Sequence, residues 1–217
     1  LISSFGQASV AQGRMYDTMK RQKAQRQAAS GSAASSNAKT VVPTPPVVRN
    51  HGVFRPDKTV DTGKALADAL GDTPDEKALI KQIYTVTKDA YEKEAAVRGW
   101  KNNMAAGLTF FTVTAMTVYH DSQEPSDDAV VNYFKSVNVA LDDIPEYAKV
   151  SNKDKHGFNN MLIGFSAILL ASYSEAKQTN NAETLDTSKK LAGMLIEMVL
   201  KTDPENIRIE NGLIVMK

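Results

Sequence analysis

Residues 161–171 read MLIGFSAILLA, the longest apolar run in the chain. Eleven residues fall well short of the ~20 that a bilayer crossing requires, so the run reads as a buried helix. Residues 104–119 (MAAGLTFFTVTAMTVY) form a longer stretch, interrupted by Thr109, Thr112, Thr114 and Thr117. Its apolar side chains Met104, Leu108, Phe111, Ala115 and Val118 recur at i+3 and i+4, and Phe110 and Val113 widen the stripe. That period is helical. It too reads as a buried helix, and two such helices make an all-α interior the expectation.

Outward from these two, start and stop signals delimit the other elements. A short helix is expected from about Thr62 to Leu70, with Asp61 or Thr62 as cap and Gly71 at its end. Thr73-Pro74-Asp75-Glu76 places a hydroxyl at the cap, proline at the first helical position and glutamate three residues after the cap. This is a capping box, whose side chains satisfy backbone N–H groups orphaned at a helix start. The helix it opens runs to about Val97, where Gly99 breaks it, and the next is expected over Trp100–Tyr119. A fourth follows Ser126 and ends near Asp142, with Asp127 and Asp128 in the favourable first turn. Residues 144–150 hold at most one helical turn. A fifth helix covers about Asn152–Lys177 and a sixth about Ala182–Thr202, stopped by Asp203-Pro204. Asn206–Glu210 then alternates apolar and polar, and Asn211-Gly212 separates it from Leu213–Met216. Asn-Gly between two apolar runs is the strongest short-range hairpin signal. The expected fold is therefore all-α, an irregular bundle of about six helices with a small C-terminal β-hairpin.

The organisation is tripartite: a basic N-terminal segment over 1–29, helical at most around Gln12–Ala29, a Ser/Ala/Pro-rich linker over 30–53, and a helical domain over 54–217. The net charge of +1 conceals an asymmetry, since residues 1–58 carry nine Lys and Arg against two acidic residues and the remainder is net acidic. Arg14, Lys20, Arg21, Lys23 and Arg26 dominate the arm, with Tyr16 as the lone aromatic among them. Strand-binding proteins interleave several aromatics with their charges, so nucleic acid is not the expected partner. Attraction to an anionic surface is the most the arm implies.

The chain has no cysteine, which excludes disulfides, thiolate nucleophiles and Cys-based metal sites. Its first residue is Leu1, which fits a cleaved signal peptide or a shortened chain alike. His51, His120 and His156 are far apart, and no two stand at the i, i+4 spacing with which a helix holds a metal. No metal and no cofactor is expected. The carboxylate pairs Asp127-Asp128 and Asp142-Asp143 are sequence neighbours, which do not face each other on a helix. Ser174-Glu175-Ala176-Lys177 matches a Ser-x-x-Lys pattern without its companion motifs, and Asp61-Thr62-Gly63-Lys64 lacks the rest of a phosphate loop. The candidate binding residues are Trp100, Asn103, His120 and Asn159, with Asp121 beside His120. Asn103 and Asn159 or Asn160 are expected to tie helices together, or to line a polar groove if they meet.

Phe54-Arg55-Pro56, a helix carrying Tyr84 and Tyr91, Trp100-x-x-Asn103, the Asp154–Ile168 helix, Asp203-Pro204 and the Asn211-Gly212 turn follow one another in a characteristic layout. In these features residues 54–217 resemble an uncharacterised family of bacterial exported proteins, known only as a domain of unknown function. The resemblance implies a helical domain and an exported (periplasmic or secreted) location, and it carries no activity. The expected function is a non-enzymatic interaction or accessory domain with a protein partner. The alternatives are a hydrolase-like enzyme with a site assembled from Asn103, His120 and Asp121, and an anion-binding module acting through the basic arm.

Overall fold

The computed structural model describes residues 49–217. The basic segment and the linker up to residue 48 lie outside the described residues. The body is all-α with a C-terminal hairpin. Its helices are α1 (Thr62–Leu70), α2 (Pro74–Val97), α3 (Met104–His120), α4 (Asp127–Asp142), α5 (Asn152–Thr179) and α6 (Ala182–Leu200). Short 3-10 turns at Pro145–Lys149 and Pro204–Asn206 join α4 to α5 and α6 to the hairpin.

Each helix begins where a side chain can accept a bond from an orphaned backbone N–H. Asp61, Asn103, Ser126, Ser151 and Asn181 do this for α1, α3, α4, α5 and α6. At α2 the capping box is complete, with Thr73 accepting from the Glu76 backbone and the Glu76 carboxylate accepting from the Thr73 backbone. Two boundaries differ from expectation for local reasons. α3 starts at Met104 rather than Trp100, because Asn102 turns into the left-handed region (φ 54°) and hands the cap to Asn103. α6 stops at Leu200, where Lys201 takes φ 54°.

α3 is the centre. It packs against α4, α5 and α6, and it is buried on nearly every side. All four of its threonines are buried, and Thr112 shares a 3.3 Å hydrogen bond with Tyr133 of α4. The main core runs from Phe54 through Phe111, Leu141, Leu162 and Ile196 to Ile207 and Ile214. β1 (Ile207–Glu210) pairs antiparallel with β2 (Leu213–Met216), with Ile207 opposite Met216 and Glu210 opposite Leu213. Asn211 (φ 52°) and Gly212 (φ 71°) make the turn. Two strands alone are marginal in water. This pair is held because Ile207 and Ile214 enter the core and β2 lies along α4.

One feature organises the remainder. Residues 52–54 run antiparallel to residues 102–104 through a bridge between Val53 and Asn103, flanked by Phe54 N–H to Asn102 O and Met104 N–H to Gly52 O. This clasp sits on α4, with the His51 N–H bonded to Asp142 Oδ1 at 2.6 Å and Asn103 Nδ2 donating to Asn138 Oδ1 at 2.9 Å. The body thus takes in residues 51–53 as well. Between the two sides of the clasp, α1 and α2 make an excursion that packs on α5 and has its own small core of Leu66, Tyr84 and Ile163.

Candidate functional site

Where α2 crosses α5, polar side chains meet, with Asn159 and Asn160 buried, His156, Lys88 and Tyr91 half-buried and Glu92 exposed. α5 supplies His156, Asn159 and Asn160 in its second and third turns, and α2 supplies Lys88, Tyr91 and Glu92 one turn apart. Phe110 of α3 closes the floor, its ring centroid 5.3 Å from that of Tyr91. α3 and α5 come close beneath it because Gly107 of α3 faces Asn159 without a side chain, and a Cβ there would overlap the Asn159 amide oxygen.

His156 is fully engaged. Its Nε2 lies 3.1 Å from Asn160 Nδ2, and its Nδ1 lies 3.1 Å from both the Asp57 carbonyl and the Asp57 N–H, donating to the first or accepting from the second according to the tautomer of the neutral ring. Phe54 stacks on the ring at 5.6 Å. Burial, with Lys88 nearby, pushes the imidazole pKa down and favours this neutral form. Asn159, only 4% exposed, is the opposite case. Its Oδ1 and the Tyr91 hydroxyl are buried without a hydrogen-bond partner. The Asn159 amide does act on that hydroxyl electrostatically, without reaching bonding geometry. Burial raises the phenol pKa. On its α1-facing side Tyr84 is likewise buried, its pKa pushed up to about 12.

The other candidates lie elsewhere, and each is in use. Asn103 caps α3 through Ala105 N–H at 2.9 Å and holds the clasp. It does not meet Asn159 or Asn160. Trp100 stacks on Phe134 at 4.0 Å with 9° between the planes, and the Arg98 guanidinium covers its other face at 5.0 Å. Neither face is free to stack a ligand. His120 is not a solvated helix end, since its Nε2 donates to the Ile207 carbonyl at 2.7 Å and ties α3 to the hairpin. Asp121 points away to α5, accepting from Tyr173 OH and Lys177 Nζ, both at 2.6 Å. Those two neighbours, Lys177 first, lower the Asp121 pKa. Asn103 caps the start of the 17-residue α3 and His120 is its last residue, about 25 Å apart along the axis, so no common site joins them. The basic arm lies outside the described residues.

Two residues of the site region are not among the candidates the sequence marks. His156 was one of three scattered histidines, and its i, i+4 partner Asn160 was the available signal. Lys155, 6% exposed, lays its ammonium over the Tyr147 ring at 5.5 Å, and burial lowers its pKa. A lysine in the first turn of a helix reads as a surface charge, so nothing in the pattern marked it. Among the described residues no group of three or more His, Asp or Glu side chains converges to hold a metal ion. No helix among them is long and apolar enough to cross a membrane.

The chain matches a family model across residues 3–217. The chain belongs to a family of unknown function (DUF6683). The match takes in the basic arm, where the resemblance drawn from sequence covered only residues 54–217. No curated protein and no solved structure matches the chain.

Proposed function

We propose that this protein is a non-enzymatic interaction domain that binds a protein partner outside the cytoplasm. The observation that carries the reading is on α2. Leu79, Val86 and Val97 are 56%, 64% and 85% exposed. They stand seven and eleven residues apart, close to two and three full helical turns, so they share one outward line. Tyr84, Tyr91 and Ala95 face inward on the same helix. An apolar line on the solvent side of a helix that already has a buried face adds nothing to folding and suits an apolar ridge on another protein. Asn103, His120, Asp121 and His156 support the same reading, because their hydrogen bonds are used within the fold. The location rests on the resemblance to exported proteins, and cell fractionation tests it: recovery of the chain wholly in the cytosol would contradict it.

The binding claim is tested with a photoreactive residue at Val86, and a control at exposed Thr187 on α6, in extracts of the source cells. The expected result is one dominant protein adduct from position 86, competed away by excess unlabelled chain and absent from position 187. Equal labelling from both positions would overturn it. A second reading draws on the family match reaching residue 3: the arm steers the domain to an anionic surface. Removing residues 1–50 is then expected to abolish binding to anionic vesicles, in a salt-dependent manner.

A further inference from the structure

α1 and α2 differ from the rest of the body in how they are attached. The excursion leaves at Phe54 and returns at Asn102, and those two residues are bonded to each other across the clasp. The clasp is anchored on α4 by the His51–Asp142 and Asn103–Asn138 bonds, neither of which involves α1 or α2. Displacing the pair would therefore leave the clasp, the main core and the hairpin whole. What holds the pair down is a core of three buried residues, Leu66, Tyr84 and Ile163, with Ile80, Tyr91 and Phe110 at its margin, and ties near its two ends, from Arg55 N–H to Asn152, from Asp57 to His156 and from Arg98 to Asp127. Leu66 enters this core against Gly164, where a Cβ would overlap its methyl group. The seam also carries an uncompensated cost, the buried Tyr91 hydroxyl, which water would satisfy if α2 lifted.

We propose that α1 and α2 are a hinged cover that opens as one unit about the clasp and bares the face of α5 formed by His156, Asn159, Asn160 and Ile163. Opening relieves the orphaned Tyr91 hydroxyl and sacrifices the small core together with the Asp57–His156 contact and the Arg98–Asp127 ion pair. Segments with few buried apolar contacts open at lower free energy than the global core. The cover needs no partner to open, so it stands apart from the binding role of the outer line on α2.

Hydrogen exchange of the full chain under native conditions tests this. Amides of α1 and α2 are expected to exchange together, with one shared denaturant dependence, faster than those of α3. Tyr91→Phe removes a hydroxyl that only the open state satisfies. It is expected to slow exchange in α1 and α2 about tenfold, with α3 and β1 unchanged. Gly164→Val pushes against Leu66 and is expected to speed exchange in α1 and α2 alone. The proposal is overturned if α1 and α2 exchange only with α3, at the rate of global unfolding, or if Tyr91→Phe slows every helix equally. Should Gly164→Val not fold, the Tyr91→Phe comparison decides by itself.

Discussion

At the scale of single residues, the polar side chains of this protein are ties between elements distant in sequence. His120 is bonded to a carbonyl 87 residues away. Replacing it with Ala removes a partly buried bond, for which about 1 kcal/mol is typical. The expected result is faster amide exchange in the hairpin, with α2 unaffected. Gly107 is constrained more severely, because the Asn159 amide occupies the place of a Cβ. Gly107→Ala is expected to lose about 1–3 kcal/mol by overpacking, read as a lower urea midpoint. His156 gives a pH dependence whose sign is fixed. Its folded pKa lies below the ordinary 6.5, so the unfolded chain binds the proton more readily. Stability from this group is complete above pH 6.5 and declines as the pH falls from there toward the folded value. Thermal unfolding between pH 7.5 and 5 should show the loss, and His156→Gln should flatten it. The groups facing the imidazole are Asn160, Lys88, Glu92 and Asp57.

At the scale of elements, starts and stops were largely legible because they are local chemistry. Thr73, Ser126 and Asn211-Gly212 act through residues at most a few positions away, and the sequence displays those. The start of α3 was misread because Trp100 looked like the first apolar residue of a helix. In fact its ring belongs to Phe134, and the chain turns at Asn102 before the helix begins. Such pairings between remote residues leave no periodic trace. The same holds for the seam. Asn159 and Asn160 are visible as polar residues in an apolar helix, and the i, i+4 pairing of Asn160 with His156 is local, but the packing of Asn159 on Gly107 follows from how α3 and α5 cross. The capping box offers a test at this scale. Thr73→Ala is expected to cost about 1 kcal/mol and to raise exchange first in the opening turn of α2.

At the scale of the whole molecule, a central helix buried on nearly every side is wrapped by α4, α5, α6 and the hairpin, and α1 and α2 hang outside on the clasp. This arrangement separates two roles. The inner layer uses its polar groups for closure, and the outer pair presents an apolar line to solvent while resting on a thin core. The claim at the centre of the account is that the clasp closes the molecule and that Asn103 is its fastener. Equilibrium urea unfolding of Asn103→Ala tests it most directly. Losing the cap of α3 and the bond to Asn138 together is expected to cost roughly 2 kcal/mol, seen as a lower midpoint with an unchanged slope. An unaltered midpoint would mean that Asn103 fastens nothing, and would contradict the account.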